Sequence, residues 1–588
     1  MQQRSAEFYR EEGIPVSYAA GYDSSRPIDA IFINAPLPTE TSHPLPTLGL
    51  GYLASDAERT GLNVAVVDGE TDRLSAEQIA KIVNELGPRW VGLNPLAPTY
   101  RTAAKIASLL ESNIKLMIGG HEAKARPFEI MQDPAFARAQ ALIIGEGEHR
   151  VTELLLRDIR YDENACPELP ATVWRNSDNG ELRFNTAAHG NKQKDWLAPN
   201  LGRLAFLNRN FLRSDLQLAD GRIEANMVGA RGCPYDCSFC GAAVSANPDI
   251  TIRARTPRDI LEEMDYLYLG HNVTAFRFVD DLFLGHRRFM QECMQAFASE
   301  DTGLMYKWDA TGRINTLDRI DDKLLDDMVT NGCREIALGI ESGSERVLHY
   351  IDKRINPDMI KRVVERVTKR GISVKGYFIL GLPTETRAEM AETVKLAHEL
   401  WELTDNLPGS FRVSAFEFRP YPGTPEWDRL MKTGRHEPEE LLAYTAVDLS
   451  EIGHDLEATT GHRREFNFSV GIQFGEATVK EVRQALAHLT HEQYLRRQQI
   501  SSAPSFPRAD KAYEESERWR QLLDNKCAPL GIMDNGEREE SQLNELRKMR
   551  LFSHQYHTGR DPAYKADANG PEWASNNLKY YKHDTPKL

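Results

Sequence analysis

Three cysteines lie close together near the middle of the 588-residue chain, in the segment 230–241, which reads ARGCPYDCSFCG. Cys233, Cys237 and Cys240 have the spacing C-x3-C-x2-C. Three thiolates at this spacing can bind three irons of a [4Fe–4S] cubane and leave the fourth iron without a protein ligand. An open iron of this kind is a binding position for a substrate or a cofactor.

The remaining cysteines favour no other metal or disulfide chemistry. Structural zinc prefers two cysteine pairs or a cysteine pair with histidines, and closed electron-transfer clusters use four cysteines; neither pattern occurs here at a suitable spacing. Seven cysteines are too few for a disulfide framework in a chain of this length. Isolated cysteines usually serve as small core hydrophobes, and we expect that role for Cys166, Cys293, Cys333 and Cys527.

The cysteine motif directly follows a predicted strand, the first of a series in which short apolar strands alternate with helical patterns. Six such βα-like units predict a partial (β/α) barrel over residues 225–425. In a barrel of this kind, chemistry takes place at the C-terminal ends of the strands. The predicted strands are 225–229, 275–279, 307–310, 335–340, 373–380 and 413–418.

An earlier alternating series predicts a second α/β unit before the barrel. Helices between short β-branched runs imply a parallel sheet, and we expect a doubly wound domain over residues 28–158, after an N-terminal extension 1–27. Glycine or proline just past several strands marks the edge where an open α/β sheet binds its ligand. The predicted strands are 30–33, 64–67, 90–93, 116–118 and 141–144.

The rest of the chain shows a weaker pattern. Residues 159–224 are rich in Pro, Asn and Gly, which favours a linker or a small hairpin between the two units. Beyond Gly423 the strand rhythm fades, and residues 437–500 are predicted to be mainly helical. We expect the region 426–588 to form a cap on the substrate side or an accessory unit, with a polar tail typical of disorder.

Charge and composition restrict the partners. Lys and Arg number 72 against 87 Asp and Glu, which gives a net charge of −15. The negative charge does not favour a nucleic-acid partner. No run of eighteen apolar residues occurs, so we also expect no membrane span. The first ten residues are polar and lack the apolar core of a secretory signal. These features predict a cytoplasmic protein that acts on a small molecule.

The cysteine motif, the strand before it and the βα series after it together resemble the radical S-adenosylmethionine superfamily. The resemblance implies a [4Fe–4S] cluster on Cys233, Cys237 and Cys240, with the amino group and carboxylate of S-adenosylmethionine on the open iron. One-electron reduction then cleaves S-adenosylmethionine to methionine and a 5′-deoxyadenosyl radical. An external reductant of the flavodoxin or ferredoxin type is implied as a partner.

Later elements of the predicted barrel extend this resemblance. The ends of the second, fourth and fifth strands are the places where the superfamily contacts the methionine amino group, the polar parts of the cofactor and its adenine. Taken singly, paired aspartates also cap helices and glycines also make turns. The resemblance assigns S-adenosylmethionine binding to Asp280, Asp281, Glu341, Ser342, Gly376 and Gly381.

The N-terminal unit resembles the cobalamin-binding domain that precedes the barrel in one large subgroup of that superfamily. It lacks the motif Asp-x-His-x-x-Gly, so no histidine stands ready for the lower face of cobalt; His121, after two glycines, is more typical of a contact to a phosphate or the corrin edge. We expect the loop 94–99 to lie beneath the corrin. The residues implied in cobalamin binding are Pro46, Leu48, Gly49, Asn94, Gly119, Gly120, His121, Gly145, Glu146 and Gly147.

The two resemblances together imply a cobalamin-dependent radical S-adenosylmethionine methyltransferase. Such an enzyme passes a methyl group from S-adenosylmethionine through methylcobalamin to a carbon or phosphorus centre of a small biosynthetic intermediate, as in antibiotic biosynthesis. Two alternatives stay open: a cyclase, oxidative or ring-rearranging enzyme with the same cofactors, and a non-catalytic iron–sulfur or cobalamin sensor. Methylthiolation of RNA or protein is disfavoured, because the N-terminal half has no second cysteine trio and the chain is acidic.

Overall fold

Short runs of β-branched and apolar residues form two seven-stranded sheets, one in the N-terminal part of the chain and one in the middle. The structure is a computed structural model that describes residues 19, 21–39, 46–187, 197–204, 206–213, 216–217, 223–245, 252–271, 273–298, 306–447 and 468–502. None of the helices in these ranges is both long and apolar enough to span a bilayer.

The N-terminal sheet has the strand order β2-β1-β3-β4-β5-β6-β7. Strands β1 to β5 are parallel, with Ala30 of β1 opposite Val64 of β2 and Trp90 of β3, which confirms the predicted doubly wound sheet. In this order a ligand binds outside the carboxyl ends of β1 and β3, where the direction of winding reverses. The strands are β1 Ala30–Asn34, β2 Val64–Asp68, β3 Trp90–Leu93, β4 Lys115–Ile118, β5 Ala139–Ile143, β6 Thr172–Arg175 and β7 Leu182–Asn185.

Strands β6 and β7 come from the segment predicted as a linker or a small hairpin. They form an antiparallel hairpin whose first strand pairs with β5, so this part of the segment extends the N-terminal sheet. Helices between the parallel strands cover both faces of the sheet, and their apolar sides form two core clusters. These helices are α1 Leu48–Arg59, α2 Ala76–Leu86, α3 Tyr100–Leu109, α4 His121–Ala125, α5 Pro127–Gln132 and α6 Arg150–Tyr161.

The second sheet confirms the six predicted barrel strands, which pair in chain order and in parallel from β9 through β12 to β16. A two-residue strand, β8, runs antiparallel beside β9. The sheet is therefore an open, partial barrel with β16 at its far edge. Its strands are β8 Leu216–Gln217, β9 Ile223–Met227, β12 Val273–Phe278, β13 Lys307–Gly312, β14 Cys333–Glu341, β15 Ser373–Leu380 and β16 Phe411–Glu417.

Helices that connect these strands pack outside the barrel and share one large apolar core with it. A separate short hairpin, β10 Ala230–Arg231 and β11 Arg253–Ala254, follows β9 and pairs Arg231 with Arg253. The cysteine motif begins directly after β10, so its loop starts at the C-terminal end of the first barrel strand. The helices are α7 Pro257–His271, α8 Arg287–Phe297, α9 Ile314–Arg319, α10 Asp322–Thr330, α11 Glu345–Tyr350, α12 Pro357–Thr368 and α13 Arg387–Thr404.

The C-terminal region begins with α14 Pro425–Lys432 and α15 Pro438–Leu441, continues through the antiparallel strands β17 Thr445–Ala446 and β18 Phe468–Ser469, and ends, as described, with α16 Val479–Ser502. The predominance of helix agrees with the sequence prediction. The cap predicted for this region concerns in part residues 448–467, and the predicted polar tail and Cys527 concern residues 503–588. Both ranges lie outside the described residues.

Helix α16 closes the open side of the barrel. The Gln493 side-chain oxygen accepts hydrogen bonds from the Val413 N–H of β16 at 2.7 Å and from the Trp401 indole of α13 at 3.3 Å. A backbone N–H at a sheet edge needs a partner when it is buried, and Val413 is 3% exposed. This helix is therefore a side wall of the barrel, and a cap over its mouth stays a prediction for other residues.

Replacement of Gln493 tests this closure. Gln493→Ala leaves the Val413 N–H and the Trp401 indole without their partner, so we expect the free energy of barrel unfolding in urea to fall by about 1–3 kcal/mol. Gln484→Ala is the matched control, because Gln484 is an exposed glutamine of the same helix. Equal stabilities for the two variants would contradict the closure.

Candidate functional site

Backbone hydrogen bonds fix the conformation of the cysteine loop. Gly232 opens the loop with a φ of +88°, and its N–H donates to the Asp281 carboxylate at 3.1 Å. The Cys240 N–H donates to the Cys237 carbonyl at 3.1 Å, and the Ala242 N–H donates to the Sγ of Cys240 at 3.4 Å. N–H groups directed at sulfur are typical of iron–sulfur sites, where they stabilise negative charge on the ligand.

Burial dominates the electrostatics of the first and third thiols of the motif. Burial, with smaller contributions from neighbouring thiols, raises the pKa of Cys233 to about 11 and that of Cys240 to about 12. Iron binding therefore displaces protons from these sulfurs. Cys240 lies within electrostatic range of both Cys233 and Cys237, and three cysteine thiols are a donor set that a [4Fe–4S] cluster with one open iron takes.

Asp280 and Asp281, predicted from the end of the second barrel strand, both lie beside the cysteine loop but in different settings. The buried Asp280 carboxylate accepts the Gly229 N–H at 2.9 Å, and burial raises the pKa of Asp280 to about 8. It joins the end of β12 to the start of the motif. Asp281 is exposed, and its carboxylate accepts the Gly232 N–H. Of the two, Asp281 is the side chain that a bound ligand can reach.

Glu341 and Ser342 also point in different directions. Glu341 ends β14 with a φ of +65° and forms a buried ion pair with Lys353 at 2.6 Å. The Lys353 ammonium lies 6.0 Å from the ring centroid of Phe239, the residue before the third cysteine of the motif. The Ser342 hydroxyl is instead 3.1 Å from the hydroxyl of Thr393 on α13. Glu341 is therefore next to the cysteine loop, whereas the Ser342 side chain fastens an outer helix.

Gly376 and Gly381 shape the fifth barrel strand and its end. A Cβ on Gly376 would lie 2.8 Å from side-chain atoms of Ile340 and Phe411, so neighbouring residues fill that space. Gly381 has a φ of +76°, and its N–H donates to the Glu385 carboxylate at 2.7 Å. Both glycines permit the backbone path that the predicted adenine motif requires, and their contact with a cofactor stays a prediction.

In the N-terminal sheet, the crevice at the β1/β3 switch point contains an unpartnered polar atom and a glycine facing it. Asn94 follows β3, and its buried Oδ1 has no hydrogen-bond partner in the described part of the chain. A Cβ on Gly120 would lie 1.7 Å from this Oδ1, and Gly120 has a φ of +92°. Gly119 follows β4 at the same edge. Gly120 thus leaves room for the Asn94 side chain, whose oxygen is the acceptor available to a polar group of a ligand at this edge of the sheet.

Of the other residues predicted to bind cobalamin, some lie in the apolar core and others lie at the carboxyl-end edge of the N-terminal sheet. Leu48 packs with Tyr52 in an apolar cluster, whereas Gly49 is exposed and has no atom within 4 Å of the position of a Cβ. Pro46 precedes them at the start of α1 and is half-buried. Burial lowers the pKa of His121 at the start of α4, and Asp281 of the barrel opposes that effect. The His121 imidazole is therefore in the electrostatic range of the barrel mouth.

The loop Gly145-Glu146-Gly147 is held from both sides. The buried guanidinium of Arg150 donates to the Ile144 carbonyl at 2.8 Å and to the Glu146 carbonyl, while Gly145 takes a φ of +85°. The Glu146 carboxylate points away from the N-terminal sheet and accepts from Arg231 at 2.6 Å and from Arg253. The backbone of this loop is therefore part of the crevice edge, while its carboxylate belongs to the contact with the barrel.

Arg231, next to the cysteine loop, is a site residue to which the sequence reasoning gave no role. Its guanidinium also donates to Glu148 at 2.7 Å and lies 5.4 Å from the ring centroid of Tyr52. Burial alone would raise the pKa of Glu148, but Arg231 overcomes this effect and holds that pKa below its ordinary value. The sequence signals that could have indicated this contact were Glu146 and Glu148 of the repeated Gly-Glu pair and Arg231 beside the cysteine motif.

Two further contacts join the same edges of the two sheets. Ala97, in the loop after β3, belongs to an apolar cluster with Tyr444 and Phe468 of the C-terminal region. A Cβ on Gly423, past the last barrel strand, would lie 3.0 Å from Ala125 at the end of α4. These contacts bring the loops after β3 and α4 of the N-terminal sheet against the segments that follow the last barrel strand.

Family models match both halves of the chain. The B12 binding domain model matches residues 38–155, and the Radical SAM superfamily model matches residues 227–397. The first match covers strands β2 to β5 of the N-terminal sheet, and the second covers the cysteine loop and most of the barrel.

Two curated relatives extend over most of the chain. An uncharacterized methyltransferase of Pyrococcus horikoshii is 28% identical over 407 residues, which cover 68% of this chain and 82% of the relative. Cytidylyl-2-hydroxyethylphosphonate methyltransferase of Streptomyces wedmorensis is 25% identical over 472 residues, which cover 72% of this chain and 85% of the relative.

A solved structure shares the fold. The radical S-adenosylmethionine methyltransferase TsrM from Kitasatospora setae, solved with cobalamin and a [4Fe–4S] cluster, superposes with a TM-score of 0.54 at 16% identity. The match covers 71% of this chain and 80% of TsrM. The order of an open α/β sheet followed by a partial barrel is thus common to both proteins.

Replacement of the motif cysteines tests the cluster. After anaerobic reconstitution we expect the full chain to hold about four irons and the triple variant Cys233→Ala, Cys237→Ala, Cys240→Ala to hold none and to release no 5′-deoxyadenosine. Cys293→Ala is the control, because Cys293 is a buried thiol on α8 outside the motif. Iron and cleavage retained by the triple variant would refute the assignment.

Replacement of Gly120 tests the crevice. Gly120→Ala forces a Cβ against Asn94 at a φ that L-residues disfavour, so we expect hydroxocobalamin to bind the full chain at least about tenfold more weakly. Gly180→Ala is the matched control, with a φ of +72° but no atom within 4 Å of its Cβ position. Binding followed by absorbance should separate the two variants; equal affinities would place cobalamin elsewhere.

Proposed function

The chain is a cobalamin-dependent radical S-adenosylmethionine enzyme of the methyltransferase type, and we propose that it methylates a carbon or phosphorus centre of a small biosynthetic intermediate. The observation that supports this proposal is the bridge from Arg231 to Glu146 and Glu148, which joins the loop after β5 of the N-terminal sheet to the start of the cysteine loop. A methyl carrier and a radical source can act on one substrate only if they share a cavity.

We propose a role for each group of site residues. Cys233, Cys237 and Cys240 hold the cluster, and Asp281 and Glu341 face the S-adenosylmethionine bound there. When bound, the cluster supplies one-electron reduction of S-adenosylmethionine and cobalamin supplies a methyl carrier. The remaining predicted residues act through the backbone or by packing: Asp280 and Ser342 fasten the loops, Gly376 allows close packing of the fifth strand, and Gly381 permits the turn after it.

On the cobalamin side, we propose that glycines at the sheet edge admit the corrin and that Asn94 donates or accepts at its rim. Gly49, Gly119, Gly120 and the backbone of 145–147 carry little side-chain bulk at that edge. His121 would contact the corrin edge, and the mostly apolar loop 94–99 would pack against the lower side of the ring. The chain's own task is to orient both cofactors and to exclude water from the space between them.

The class of substrate is supported by the relatives and by charge. One relative is named for methylation of a cytidylyl phosphonate, a small molecule. A net charge of −15 does not favour a nucleic-acid surface. We further propose a cytoplasmic, reducing location and an external one-electron reductant of the flavodoxin or ferredoxin type, since a thiolate-bound cluster with an open iron requires both. A role in secondary metabolism, such as antibiotic biosynthesis, belongs to this proposal.

The ratio of two products tests the reaction class. With CD3-labelled S-adenosylmethionine, a reductant and an extract of small metabolites, we expect both S-adenosylhomocysteine and 5′-deoxyadenosine, together with a metabolite that carries the label. The triple cysteine variant should lose 5′-deoxyadenosine. 5′-Deoxyadenosine without S-adenosylhomocysteine would indicate a cyclase, oxidative or rearranging enzyme, and neither product would indicate a sensor.

A further inference from the structure

One buried arginine of the barrel directs its charge at a cluster sulfur. Arg313 follows β13, is 5% exposed, and donates from Nη1 to the Sγ of Cys237 at 3.1 Å. Its Nη2 donates to the Lys353 carbonyl at 2.6 Å, and its Nε donates to the Asn315 side chain at 3.1 Å. The guanidinium carbon lies 3.7 Å from the ring centroid of Tyr235, inside the cysteine motif. Four contacts thus fix the guanidinium in one orientation.

The contacts of Arg313 differ from those of three other arginines in the barrel half of the molecule, each of which pairs with a carboxylate. Arg255 pairs with Glu263, Arg334 with Asp309, and Arg412 with Glu335. The described contacts of Arg313 include no carboxylate: they are one sulfur, one carbonyl, one amide oxygen and one ring. Its positive charge is therefore not cancelled by an acid in an ion pair, and the sulfur of Cys237 is the group that it can stabilise as an anion.

We propose that Arg313 tunes the cluster: its charged N–H···S hydrogen bond to Cys237 raises the reduction potential of the [4Fe–4S] cluster held by the motif. Reduction adds one electron from the external reductant to the cluster and neither forms nor breaks a bond to protein. The guanidinium stays protonated, so no proton moves. Because the reduced cluster carries one more negative charge, a fixed cation near its sulfur stabilises the reduced state more than the oxidised state.

This role rests on the cluster but not on the proposed methyl transfer. Arg313 acts through Cys237 and not on the substrate, so it is a positioning residue whose effect is electronic. Lys353, whose carbonyl accepts from Arg313, also pairs with Glu341, so the arginine connects the cysteine loop to the end of β14. The electronic effect should be present before any S-adenosylmethionine binds.

The test is the reduction potential of the reconstituted full-length protein, measured by electron paramagnetic resonance at poised potentials without S-adenosylmethionine. Arg313→Met and Arg313→Gln remove the charge, and we expect the equilibrium constant for reduction to fall at least about tenfold, which is about 59 mV for one electron. Arg313→Lys keeps a positive charge but lacks the planar guanidinium. Its reduction potential should therefore lie between those of the neutral variants and that of the wild type. Arg412→Met is the matched control, since Arg412 pairs with Glu335 near the start of β16; it should retain the wild-type potential.

Three outcomes would overturn the proposal. Neutral variants that assemble the cluster with the wild-type potential would show that the hydrogen bond has no electronic role. An Arg313→Lys potential equal to the wild type would assign the effect to charge alone and not to the contact with Cys237. Loss of cluster iron in both neutral variants, with an intact fold by circular dichroism, would make Arg313 an assembly residue. Failure of methyl transfer with a normal potential would count against the proposed function only.

Discussion

A buried ion pair between the two halves of the molecule is the constraint on which the site depends. Arg231, directly before the cysteine loop, binds Glu146 and Glu148 from the loop after β5, and Arg253 on the paired strand reaches the same Glu146. Without Arg231 the buried Glu148 carboxylate would be left as an uncompensated charge, which typically costs several kcal/mol. The two halves are therefore held in one relative orientation, whereas an apolar interface alone would tolerate sliding.

The loop that supplies these carboxylates has two functions because of its alternating sequence. Gly145 permits the left-handed turn after β5, and the side chain of Leu53 lies close to Gly147. The glutamates between and after these glycines face the barrel. The glycines of this loop thus shape the edge of the predicted crevice, and its glutamates form one side of the contact with the barrel. Arg150, buried behind it, fixes the backbone on which both functions rest.

The sequence predicts the periodic and local parts of this structure. The parallel strands and the cysteine loop were predictable, because alternation of strand and helix and close cysteine spacing are short-range patterns. The contacts of Arg231 with Glu146 and of Arg313 with Cys237 join residues far apart in the chain. One sequence does not pair such residues. The same reason explains why Ser342, at the end of a predicted strand, proves to bind Thr393 of an outer helix.

Charges inside the barrel also determine where a ligand can lie. Arg334 of β14 reaches Asp309 of the neighbouring strand and Glu224 of β9, two strands farther on, which is possible only across the interior. Arg412 and Glu335 add a further pair nearer the open edge. Each of these arginines is paired with a carboxylate, so charged side chains fill the barrel interior near the starts of the strands. A ligand can therefore bind only near the strand ends. There, Arg313 faces a sulfur with no paired acid. Arg334 and Arg412, which pair with carboxylates, therefore stabilise the barrel, whereas Arg313, whose described contacts include no carboxylate, is the arginine that we propose acts on the cluster.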